Sequence, residues 1–87
     1  MATAEARVRS LCDVLKQGVI FIGKEIDRKE RQVRSLEARL AELQGQPKAD
    51  QAEIRRLREE LAALQNELET DRAQLSAFQD EVSASCN

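Results

Sequence analysis

The chain has 87 residues and a formal net charge of −2, which leaves room for one domain, spanning 1–87, and no more. Charged residues make up 34% of it, with no Trp, Tyr or His and only Phe21 and Phe78 as aromatics, so a large mixed core is excluded for want of bulky buried side chains. Without histidine and without a Cys-x-x-Cys pair there is no ligand set for zinc, and no serine or cysteine sits in a nucleophile motif; no catalytic, cofactor-binding or metal residue is assigned, and no cofactor is expected. Abundant Ala, Glu, Leu, Arg and Gln point to long helices instead.

The first element is a helix over 4–44. Its apolar residues recur in alternating steps of three and four: Val8, Cys12, Leu15, Val19, Ile22, Ile26, Val33, Leu36, Leu40 and Leu43. This is a coiled-coil seam, with Cys12, Val19, Ile26, Val33 and Leu40 at heptad position a. Lys29 is the charged intruder, at d. Between Leu11 and Gly23 a second apolar surface departs from the seam: Leu11 flanks it, and Val14, Ile20 and Phe21 lie outside it. Gly18 and Gly23 each lower helix propensity by roughly 1 kcal/mol and would let another helix approach closely. Leu11, Val14, Gly18, Ile20, Phe21 and Gly23 are therefore the candidate oligomer or partner surface.

The break follows at 45–50. Gly45 is placed for a left-handed C-cap and Pro47 cannot continue the helical ladder. Asp50 then offers an N-cap, with Glu53 three residues on as the second half of a capping box. The sequence predicts a loop here, the alternative being one long helix kinked at Pro47.

The second helix is expected over 51–84, with Ile54, Leu61, Leu68, Leu75 and Val82 at a and Leu57, Leu64, Asp71 and Phe78 at d. Asp71 is its intruder. An antiparallel fold at the loop pairs Leu43 with Ile54, Leu40 with Leu57, Leu36 with Leu61, Val33 with Leu64, Ile22 with Leu75, Val19 with Phe78 and Leu15 with Val82. Lys29 and Asp71 then occupy adjacent layers, whereas a parallel in-register dimer would set each against its own copy. They form the candidate register pair. Glu37 is expected near Arg58, Glu30 between Arg58 and Arg72, and Arg39 near Glu53 and Glu60, with Glu25 and Glu67 as unfavourable neighbours.

Charge divides unevenly, with nine Lys/Arg against seven Asp/Glu in 1–47 and five against nine in 48–87. The basic residues Arg28, Lys29, Arg31, Arg34, Arg55, Arg56 and Arg58 are interleaved with acids, which argues against a nucleic-acid stripe. The face around Lys16 and Lys24 also carries Asp13 and Glu25, a poor match to a membrane surface. Without a secretory signal or a membrane span, the expected location is the cytoplasm, with Cys12 and Cys86 as free thiols. The hairpin would nevertheless bring these cysteines together at its open end, close enough to bond if their Cα atoms came within about 7 Å.

The reading is an all-α protein: an antiparallel two-helix coiled-coil hairpin, expected to dimerise into a four-helix bundle. Its expected work is non-catalytic protein-protein interaction or oligomerisation, with itself as a homodimer and with another protein. The alternatives are a long parallel coiled-coil spacer and, in a different class, a regulatory nucleic-acid-binding helical protein.

Overall fold

A computed structural model describes the backbone of residues 4–86 and the side chains of residues 10–86. Two helices account for nearly all of it: α1, Ala4–Gln44, and α2, Gln51–Ser85, with no strand among the described residues. The observed limits lie within a residue of the expected 4–44 and 51–84. The chain turns back at the loop, and α2 runs antiparallel along α1 in a rod of 69 × 20 × 14 Å.

The turn is made by hydrogen bonds, not by an unusual backbone. The Gly45 N–H donates to the Ala41 carbonyl at 3.1 Å and the Gln46 N–H to the Leu43 carbonyl at 3.1 Å, so α1 tightens before Pro47 ends the ladder. No described residue has a positive φ, so the left-handed cap expected at Gly45 is not formed. The Ala41 and Leu43 carbonyls already have donors without it. A Cβ at Gly45 would make only ordinary contact with the Glu42 and Ala41 carbonyl oxygens, at 3.5 and 3.6 Å.

Helix α2 starts on Asp50, which has extended backbone (φ −70°, ψ 106°). Its Oδ1 accepts from the Ala52 N–H at 3.0 Å and the Glu53 N–H at 3.4 Å. The reciprocal half of the expected capping box is not made, because the Glu53 carboxylate is drawn across the hairpin to Arg39, at 3.2 Å. Asp50 alone therefore caps the helix, a contribution of about 1 kcal/mol.

The seam is filled along its length. Every a and d side chain from Cys12 to Leu43 and from Ile54 to Val82 is buried or half-buried; Val8 lies outside the described side chains. Burial is deepest in two clusters. Ile26, Val33 and Leu68 form one, with Ile22, Leu61, Leu64 and Leu75 packed against it. Leu43, Ile54 and Leu57 form the other, beside the loop, with Leu36, Leu40 and Ala49 around it. Both clusters lie on the loop side of Ile22 and Leu75.

Candidate functional site

One layer of the seam is polar. Lys29 and Asp71 point inward from the two helices with side chains only 15% and 17% exposed, and Lys29 Nζ donates to Asp71 Oδ2 at 2.8 Å. Glu67 Oε2 lies 3.9 Å from the same ammonium on the solvent side. The hydrogen bond to Asp71 raises the Lys29 pKa above the ordinary lysine value, against a smaller cost of desolvation. The charges of Asp71, Glu67 and Glu25 add to the rise.

The flanking ion pairs differ in part from expectation. Arg72 Nη2 bonds Glu30 at 3.1 Å, and Arg39 reaches Glu53 at 3.2 Å and Glu42 at 3.7 Å, but no ion pair joins Glu37 to Arg58 among the described residues. Glu25 and Glu67, expected to repel, each face a cation: Arg28 bonds Glu25 at 2.9 Å, and Lys29 faces Glu67. Long side chains bring a cation to each acid without moving the backbone. The hydrogen bond from Arg28 holds the Glu25 carboxyl below the ordinary carboxylate value.

At the open end the thiols expected from the sequence are absent. Cys12 and Cys86, 74 positions apart in sequence, are joined by a disulfide with Cα atoms 5.4 Å apart, and no free cysteine remains. The physical reason is the register, which sets the start of the seam opposite the end of α2 within bonding reach. Cys12 is buried, whereas Cys86 is half-buried and caps α2, its N–H donating to the Val82 carbonyl at 2.9 Å.

Gly18 serves the hairpin itself. A Cβ built on it would lie 2.9 Å from Phe78 Cε1 and 3.1 Å from Cδ1, so the helix that approaches this glycine is α2 of the same chain. Phe78, expected against Val19, turns its ring onto the space a side chain at Gly18 would fill. Gly23 has nothing within 4 Å of its would-be Cβ.

Four large apolar side chains remain in solvent: Leu11 at 52% exposure, Val14 at 63%, Ile20 at 54% and Phe21 at 67%. A helix advances about 100° per residue, which divides them into two groups. Leu11, Val14 and Phe21 follow one another with Gly18 on one flank of the seam. Ile20 and Gly23 lie with Lys16 on the other. The single surface expected from the sequence is thus two surfaces, because the seam runs between them. The Ile20 side borders an open groove of about 440 Å³ lined by Lys16, Val19, Ile20, Gln79, Val82 and Ser83.

Among the described residues no three cysteine or carboxylate side chains converge as metal ligands would, and no helix is long and apolar enough to cross a membrane. What the arrangement offers chemically is an apolar contact area beside a reducible bond. Comparison with protein-family models, with curated proteins and with solved structures returned no match.

Proposed function

We propose that this chain is a non-catalytic coiled-coil module for protein-protein interaction, and that its first partner is a second copy, two hairpins packing side by side as a four-helix bundle. The observation that carries the reading is the exposure of Leu11, Val14, Ile20 and Phe21 at one end of a hairpin whose own seam is already filled. A two-helix hairpin buries only a narrow stripe, and chains of this size commonly gain the missing burial by association. The Leu11, Val14 and Phe21 flank has the spacing with which one helix lies along another.

Other features fit the same reading. Lys29 and Asp71 act as a register device, since a buried pair of this kind is a better discriminator between alignments than a source of stability. Arg28 and Lys29 already face carboxylates, which weighs against their use on phosphates. A disulfide at the open end suits a setting oxidising enough to keep it and weighs against the cytoplasm.

The test is molar mass in solution by light scattering, with Val14→Glu and Phe21→Glu combined as the probe. The oxidised wild type is expected at twice the 9.8 kDa chain mass, and the variant at 9.8 kDa with unchanged helix content. A wild type that stays at the single-chain mass at high micromolar concentration overturns the reading.

A further inference from the structure

We infer that the Cys12–Cys86 disulfide is a redox latch on the open end of the hairpin, released by thiol reductants through attack at Cys86. Burial becomes shallower toward the open end. Along residues 12–22 and 75–86 the one buried residue is Cys12, itself half of the bond. Leu15, Val19, Ile22, Leu75, Phe78 and Val82 are only half-buried there, whereas the deep clusters all lie nearer the loop. A covalent tie thus adds to a seam that is filled but less deeply buried at this end, and the tie is reversible.

The two cysteines differ in exposure. Cys12 is 9% exposed and sits within the seam, while Cys86 is half-buried at the last turn of α2. A thiolate of an entering dithiol attacks Cys86 Sγ and forms a mixed disulfide with it; the Cys12 sulfur leaves as a thiolate with the electron pair of the broken bond. The second thiol of the reductant, losing its proton to solvent, displaces Cys86 as a thiolate and leaves as a cyclic disulfide. Two electrons have passed from the dithiol to the protein.

Release has a structural consequence. With the tie gone, residues 75–86 open away from residues 12–22 while the clusters nearer the loop hold the rest of the hairpin. Opening uncovers Leu15, Val19, Phe78 and Val82 beside the exposed Leu11 and Ile20. The reduced open end therefore presents a wider apolar surface to a second copy, a consequence that rests on the association proposed above.

Hydrogen exchange read by mass spectrometry on the whole chain, oxidised and then in dithiothreitol, tests the latch. Peptides covering 12–22 and 75–85 are expected to exchange at least roughly tenfold faster after reduction, while those covering 26–43 and 54–68 keep their protection. The Cys12→Ala/Cys86→Ser variant should match the reduced chain with or without dithiothreitol. Equal protection of the open end in both states overturns the latch, and so does uniform loss along both helices, which would make the bond a staple for the whole fold. With glutathione as a monothiol probe, peptide mapping should find the adduct on Cys86; an adduct on Cys12 overturns the assigned point of attack. Molar mass on the same samples separates the two claims. Faster exchange without any dimer in either state removes the association and leaves the latch standing.

Discussion

The two ends of the hairpin are built from different materials. Near the loop, Leu43, Ile54 and Leu57 are 4–7% exposed and the chain connection is short, so packing and covalent continuity act together. At the open end the seam is half-buried, a glycine makes room for Phe78, four large apolar side chains face solvent, and a disulfide holds the helices together. A coiled-coil seam of constant spacing need not have constant worth. One end is committed to the fold, and the other keeps apolar surface outside it.

Substitutions in the seam should expose that contrast most strongly. Leu68→Ala, in the deeper cluster, should cost about 3 kcal/mol in urea unfolding of the oxidised chain, whereas Leu15→Ala should cost about 1 kcal/mol. Equal losses would mean that the ends are equally packed. A smaller effect divides the two glycines of the open end. Gly18→Val should lower the melting temperature by displacing Phe78, while Gly23→Ala should raise stability by roughly 1 kcal/mol, having open space around it. Loss of dimer in Gly23→Ala without loss of helix would instead place Gly23 in a tight contact between copies.

The polar layer should give the smallest change, and its direction is definite. Lys29→Glu sets a third acid beside Asp71 and Glu67 and should lower the urea midpoint, whereas Lys29→Leu combined with Asp71→Leu should leave it unchanged or raise it. Because the Lys29 pKa is raised in the folded chain, its contribution is complete below the unfolded lysine value and is lost as pH rises through the higher folded value. The wild type should therefore show a loss of stability on the alkaline side of the ordinary lysine pKa of 10.5 that the double leucine variant lacks. A matching alkaline loss in that variant would assign it to other groups.

Much of this architecture is legible in the residues. The alternation of threes and fours marks the seam, and Pro47 and Asp50 bracket the break, because periodicity and caps are properties of residue type and spacing. The facing of Lys29 and Asp71 follows from the same heptad phase. Other features depend on geometry that spacing does not carry. Gly45 is compatible with a left-handed cap, but the terminal hydrogen bonds decide whether one forms. Glu53 suits a capping box until Arg39 competes for its carboxylate. The contact of Phe78 with Gly18 depends on where the ring points, which heptad counting does not specify. The heptad register brings both cysteines to one end, but whether they bond depends on redox conditions that composition does not record.

Small-angle scattering with simultaneous molar mass on the oxidised chain separates a side-by-side pair of hairpins from every other arrangement. Such a pair should give twice the 9.8 kDa chain mass and a maximum dimension close to the 69 Å length of one hairpin. A dimension of ~130 Å, the length of one continuous helix at 1.5 Å per residue, or a mass of one chain at every concentration, would contradict it.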